Sequence, residues 1–159
     1  MSELKVGDFA PDFQANSTKG ILSLIDFKDL NIVIYFYPKD MTPGCTTQAK
    51  EFSMLYPEFK KANTEIIGVS KDNLSSHNKF CEKENIPYPL LLDEEGKICN
   101  IYGVMKEKSM FGKKYLGINR TTFLIGKNKK ILKLWRSVKA SGHAQKVLDT
   151  INMLEPILK

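Results

Sequence analysis

A chain of 159 residues and 18.1 kDa falls within the usual size of one domain and can bury roughly two-thirds of its unfolded surface, so folding requires neither disulfide staples nor a structural metal. Its three cysteines, an odd number with no C-x-x-C pair or close Cys/His cluster, argue against a secreted disulfide framework and against zinc. The formal charge of +6 and pI near 9.1 come from 24 basic residues interspersed among 18 acidic ones, a pattern of solvated faces rather than a nucleic-acid patch.

The amino-terminal KVGDFAPDF, Lys5 to Phe13, is acidic and has no apolar run of signal-peptide length. No stretch reaches the ~18 apolar residues that cross a bilayer, so a cytoplasmic protein without a membrane partner is expected. Asn31 to Tyr37 (NIVIYFY) is a continuous β-branched and aromatic run, the mark of a central strand buried on both faces. A helix from about Pro43 to Ala62 follows, with Ala49, Phe52, Leu55, Tyr56 and Phe59 as its apolar stripe and a kink or break expected at Pro57.

Glu65 to Ser70 reads as a second core strand and Asn73 to Glu84 as a second helix, stopped by Ile86-Pro87-Tyr88-Pro89. Leu90 to Asp93 is a short strand, and Asp93 to Gly96 a turn or the start of a short helix. Thr121 to Ile125 and Ile131 to Trp135 flank GKNKK, whose lysines fit a hairpin turn. The last segment, from Gly142, places Val147, Leu148, Ile151, Leu154 and Leu158 at helical spacing, with Pro156 limiting the final turn. Strands alternating with helices in a single domain over residues 1–159 predict an α/β fold.

Cys45 directly follows Pro43-Gly44. Proline suits the first turn of a helix because its missing N–H would have no internal partner there. Cys45 then faces free backbone N–H groups and the positive end of the helix dipole, a setting that favours negative charge on sulfur. The local sequence therefore predicts a reactive thiol.

Pro38, Thr42 and Cys45 reproduce P-x-x-x-T-x-x-C, and the fuller string FYPKDMTPGCTTQA, with GINRTTFLI around Arg120, resembles the peroxiredoxins, in particular their bacterioferritin comigratory or Q-type branch. The likeness extends over almost the whole chain. It implies a thioredoxin-like fold, a central mixed β-sheet flanked by α-helices, with an amino-terminal extension. It also implies a peroxidase in which Cys45 attacks hydrogen peroxide or an alkyl hydroperoxide and becomes sulfenic acid. In that reading Thr42 hydrogen-bonds the thiolate and the incoming peroxide, Pro38 shields the site from bulk water, and Arg120 places positive charge beside sulfur. No metal, haem or flavin cofactor is implied, and members of this branch are often monomeric.

Many of those members carry a resolving cysteine on the same helix, at the position that Lys50 occupies here. Cys81 on the next helix is then the candidate resolver, as in another subset of the branch, and thioredoxin or another thiol reductant would regenerate the enzyme. The alternative is a one-cysteine cycle served directly by an external thiol. Cys99 reads as a packed, inert thiol, His77 and His143 as surface residues, Lys50 as solvent-facing and Trp135 as a packing residue. Gln48 is evenly balanced between a site role and none. Among other functions, a thioredoxin-type oxidoreductase lacks its C-x-x-C pair, and a Cys–His hydrolase leaves Pro38, Thr42 and Arg120 unexplained. A non-enzymatic module of the same fold would have no reason to keep all four residue types.

Overall fold

The computed structural model describes residues 3–158. In chain order these form β1 (Gln14–Ala15), β2 (Leu22–Ser23), a 3-10 turn (Leu24–Asp26), β3 (Asn31–Phe36), α1 (Pro43–Lys61), β4 (Thr64–Ser70), α2 (Leu74–Glu84) and β5 (Leu90–Leu92). There follow α3 (Lys97–Ile101), β6 (Met105–Met110), β7 (Lys113–Ile118), β8 (Thr121–Ile125), β9 (Ile131–Trp135) and α4 (His143–Leu158). The side chains of residues 155–158, including the expected stop at Pro156 and the stripe position Leu158, lie outside those described.

The main sheet has the order β5-β4-β3-β8-β9. β3 is parallel to β4 and antiparallel to β8, so the sheet is mixed. Every residue of β3 is buried, which explains the unbroken apolar run from Ile32 to Phe36. Side chains alternate between two cores: Val33, Tyr35, Ile66 and Leu124 pack with Ala49, Phe52 and Phe59 of α1, Phe80 of α2 and Val147 and Ile151 of α4. Ile32, Ile34, Phe36, Val69 and Phe123 pack on the other face with Ala10, Phe13, Ile98 and Tyr102. The amino-terminal segment also shields both sheet edges, with Gly7 N–H donating to the Ile131 carbonyl and Thr18 N–H to that of Leu90. This is the thioredoxin-like arrangement expected.

Three expectations need correction. α1 runs through Pro57, so the break allowed for there does not occur: proline removes one helical donor, but burial of Phe52 before it and Phe59 after it holds both halves on the sheet. Residues 105–118, to which the sequence pattern assigns no element, form a two-stranded ribbon separate from the main sheet. Its tip, Phe111-Gly112, has both φ angles positive (52° and 78°), as a tight hairpin turn requires. Both histidines are buried rather than at the surface. Among the described residues no helix is long and apolar enough to cross a membrane.

His143 opens α4 with Nε2 2.8 Å from Thr122 Oγ1, and the rings of Phe52 and Trp135 stand edge-on to it. Burial, reinforced by Lys146 and Arg120, pushes its pKa down to about 4. The unfolded chain binds a proton at the ordinary imidazole pKa near 6.5, whereas the folded chain resists it until far lower. The histidine's contribution to stability is therefore fully present above pH ~6.5 and is lost progressively as pH falls towards 4. Urea denaturation at pH 7 and pH 5 should show a smaller loss of stability in His143→Gln than in the unaltered protein, by on the order of 1 kcal/mol.

Candidate active site

Topology brings the catalytic candidates to one end of two neighbouring interior strands, β3 and β8. Because β8 runs antiparallel to β3, with Phe36 opposite Thr121, the end of β3 lies beside the start of β8. The chain leaves β3 through residues 37–42 into α1, with Cys45 as the third residue of that helix, while Arg120 immediately precedes β8. The Arg120 carbonyl accepts from Val138 N–H at 2.9 Å, and the Thr121 hydroxyl donates to the Asn119 carbonyl at 2.7 Å. Those bonds fix the backbone from which the arginine reaches across.

Cys45 is 1% exposed, and its Sγ accepts a hydrogen bond from Arg120 Nη1 at 3.5 Å. The same nitrogen donates to Gln48 Oε1 at 2.7 Å. Gln48, evenly weighed from sequence, thus belongs to the site; its position one helical turn after Cys45 was the available signal. Being neutral, it orients the guanidinium without cancelling its charge, which leaves the full charge beside sulfur. Gly44 makes room, since a Cβ there would stand 3.1 Å from Arg120 Nη2.

Thr42 is the N-cap residue of α1, but its hydroxyl donates to the Lys39 carbonyl at 2.8 Å rather than to Cys45. With its proton so committed, the oxygen offers lone pairs to an incoming donor instead of a proton to sulfur. Pro38 and Thr42 are both half-buried, and Met41 between them adopts φ 64°, a left-handed conformation that tightens the loop.

Asp40 anchors this loop from within. Its Oδ1 accepts from the Tyr37 hydroxyl at 2.6 Å; its Oδ2 accepts from Ser76 Oγ at 2.8 Å and lies 2.7 Å from His77 Nδ1. His77 Nε2 lies 2.8 Å from the Leu91 carbonyl, an atom that can only accept. Asp72 Oδ2 meanwhile takes the Asp40 N–H at 2.9 Å and the Ser70 hydroxyl at 2.6 Å. Asp40, Asp72 and His77 lie close enough to share a cation. Both ring nitrogens are already engaged, however, and the carboxylate oxygens nearest them hold protein donors, so the cluster reads as a structural network. Sequence reasoning missed His77 because an imidazole among Ser, Asn and Lys looks solvated until its tertiary partners are known.

Cys81 lies half-buried on α2 against the same apolar core that contains Cys45, and both are free thiols. Burial raises the Cys81 pKa; Thr18 and Lys19 partly offset this, and Asp40 adds to it. Lys50 is exposed, with its ammonium 3.6 Å from Glu84 at the end of α2. Cys99 is fully buried on the opposite face. Burial and the neighbouring Asp93 carboxylate push its pKa far up, while Asp93 accepts the backbone N–H groups of Ile98 and Cys99.

The model of the AhpC/TSA family matches residues 6–134. Peroxiredoxin Bcp of Bacillus subtilis is 45% identical over 93% of this chain and 95% of its own, and that of Escherichia coli 41% identical over 94% and 96%. The chain belongs to the peroxiredoxins. Among solved structures, the Xanthomonas campestris bacterioferritin comigratory protein, described for its alkyl peroxide reduction activity, superposes with a TM-score of 0.87 at 39% identity. That match covers 96% of this chain and 98% of the other.

Within this peroxiredoxin, removing the Asp40 carboxylate leaves His77, Tyr37 and Ser76 without their buried acceptor. Asp40→Ala should lower unfolding stability by about 3 kcal/mol. Chemical denaturation monitored by far-UV circular dichroism measures the loss, and a change below ~1 kcal/mol would show the network to be dispensable.

Proposed function

We propose that this chain reduces hydroperoxides by a thiol cycle centred on Cys45. The observation that carries the reading is the 3.5 Å contact between Arg120 Nη1 and Cys45 Sγ at the start of α1. The thiolate attacks the terminal oxygen of the peroxide; an S–O bond forms as the O–O bond breaks. Sulfur is oxidised to sulfenic acid, and the departing oxygen leaves as water or alcohol once protonated. Arg120 and the free N–H groups of the first helical turn stabilise the charge as it passes from sulfur to oxygen. Thr42 Oγ1 accepts from the peroxide hydroxyl, and Pro38 limits water at the reacting atoms.

Magnitudes decide which effect matters most. An ordinary thiol with pKa ~8.5 is already ~3% ionised at pH 7, so complete ionisation raises the reactive fraction only ~30-fold, about 2 kcal/mol. The rest of the acceleration has to come from orienting the peroxide and from favouring the transition state. Arg120→Ala should therefore slow sulfenic acid formation by more than ~30-fold, beyond anything loss of ionisation could cause. Stopped-flow kinetics with hydrogen peroxide measures this, with Cys45→Ser as the inactive reference. A deficit that merely matched the fall in thiolate fraction would defeat the assignment.

Cys81 then resolves the cycle in this reading. Its thiolate attacks the Cys45 sulfenic sulfur, the S–S bond forms, and the hydroxyl leaves as water. Thioredoxin or another dithiol reductant reduces the disulfide, and the chain works as a monomer. A disulfide needs Cα atoms within about 7 Å and both thiols pack into the core, so in this reading the first turn of α1 and the end of α2 open locally. The helical cost is modest: α2 is short and buries only His77 and Phe80.

The folded helix keeps Cys81 protonated by raising its pKa, whereas the opened helix lets it ionise in the ordinary thiol range. Opening, and with it an active resolving thiolate, is thus favoured as pH rises into that range. After one equivalent of peroxide, mass spectrometry should find a Cys45–Cys81 link that forms faster at pH 8.5 than at pH 7. Sulfenic acid at Cys45 with Cys81 still alkylatable would instead establish the one-cysteine cycle.

A further inference from the structure

The β6–β7 ribbon stands apart from the main sheet, and its tip carries side chains that the fold itself leaves unused. Phe111 is 97% exposed and holds φ 52°, a left-handed conformation that favours glycine or asparagine and disfavours a bulky side chain. A turn selected for folding alone would not place phenylalanine there. Met110 before it and Leu116 on the returning strand are exposed as well.

Charge is sorted on the same ribbon. Cross-strand pairing sets Lys106 opposite Gly117, Lys108 opposite Tyr115 and Met110 opposite Lys113, so strand alternation puts these six residues on one face. That face holds three lysines and no acid, and among the described residues none of the three forms an ion pair. The ribbon's one carboxylate, Glu107, belongs to the other face, where it pairs with Lys114 at 3.4 Å. At the tip an open hollow of ≈ 450 Å³ is lined by Met110, Phe111 and Tyr115, with Lys113 and Lys114 supplying its charge.

These groups are also layered by depth. Met110 and Lys113 form the first rung behind the turn, Ser109 and Lys114 the second, and Lys108 and Tyr115 the third. At ~3.4 Å per residue the third rung stands about 10 Å from the tip. An interfacial anchor sinks its apolar end about 5–10 Å into the boundary between lipid headgroups and acyl chains. At that depth Lys113 and Lys114 reach the phosphates with their stems along the acyl chains, and Tyr115 stands at headgroup level. A folded partner would have to offer a pocket for Phe111 ringed by acids; an anionic bilayer presents both parts at a fixed spacing.

We infer that the tip of the β6–β7 ribbon is an interfacial anchor for anionic lipid surfaces. Phe111 and Met110 enter the acyl boundary, Lys113 and Lys114 meet lipid phosphates, and Lys106 and Lys108 add longer-range attraction. Attachment of this kind needs no spanning segment, so hydropathy, the ground for expecting no membrane partner, does not register it. It is independent of the peroxidase reading and adds a location to it.

The test is co-sedimentation of the reduced protein with vesicles of phosphatidylcholine alone or mixed with phosphatidylglycerol. Binding to the mixed vesicles should be stronger by about ten-fold or more and should fade with added salt. Phe111→Ser should weaken it by about ten-fold, and Lys113→Gln with Lys114→Gln by a similar factor. Phe111→Trp should retain binding, with emission shifted to the blue on the vesicles relative to the unaltered protein, whose only tryptophan is Trp135. The paired control Lys127→Gln with Lys133→Gln removes as much charge from the exposed β8–β9 hairpin and should leave binding nearly unchanged. Equal binding to both vesicle types overturns the inference, as does binding that Phe111→Ser leaves intact or that the control weakens as much as the tip variants do. If no vesicle binds and Phe111→Ser instead slows reduction of the oxidised protein by thioredoxin, the tip docks a protein and the inference fails.

Discussion

A sulfur atom almost wholly removed from water can carry negative charge only if something nearby replaces the lost hydration. Here the replacement is the Arg120 guanidinium at 3.5 Å, together with the unpaired N–H groups of the α1 start. The rest of the structure follows from keeping these groups together. Arg120 and Cys45 are remote in sequence and share no element. They meet because β8 returns antiparallel beside β3, so the residue entering one strand stands next to the loop leaving the other. The aromatic packing of Phe36, Tyr102 and Phe123 fills the core on the opposite face of the same two strands from Cys45.

Sequence patterns made some of this legible and concealed the rest for identifiable reasons. Asn31–Phe36 could be read because a strand buried on both faces has no polar positions to confuse the pattern. Cys45 could be read because Pro43 and Gly44 mark a helix start locally. The β6–β7 ribbon gave no signal: its strands, MKEKSM and KKYLGI, are mostly exposed and lack the alternation that a half-buried strand shows. His77 and His143 were misplaced because an imidazole's burial depends on partners such as Asp40 and Thr122, which lie far off in the chain. The Thr42 hydroxyl was expected to point at sulfur; its turn to the Lys39 carbonyl is a backbone preference that a motif does not encode.

The two sides of the site differ in how firmly they are held. Asp40 gathers a tyrosine, a serine and a histidine, and through its own N–H it is tied to Asp72. This fastens the loop before Thr42 to the end of β4 and to the first turn of α2. Among the described residues the far end of α2 has no such network. It stops at Asn85 in a left-handed conformation, and beyond the packing of Phe80 it adds the ion pair of Lys50 and Glu84, whose lysine is largely exposed, a contact of small worth. Cys81 lies towards this looser end. In the proposed cycle, local opening would therefore release the second thiol while the loop before Thr42 stays anchored.

Electrostatics also supplies an order for the cycle. In the proposed cycle the charge on Arg120 is balanced by the attacking sulfur before reaction, and the closed arrangement is favoured. Once sulfur has become sulfenic acid that anion is gone, while Gln48, being neutral, offers the guanidinium a hydrogen bond but no compensating charge. Lys108 adds to the uncompensated positive field. The closed first turn of α1 then holds cations facing a neutral group, and the Coulombic advantage that secured it has disappeared. Oxidation thus weakens the very contact that promoted it, so the turn opens more readily after the peroxide is consumed than before. A carboxylate at position 48 would keep Arg120 paired throughout and remove this asymmetry, whereas the neutral glutamine makes the stability of the closed site depend on the oxidation state of one sulfur.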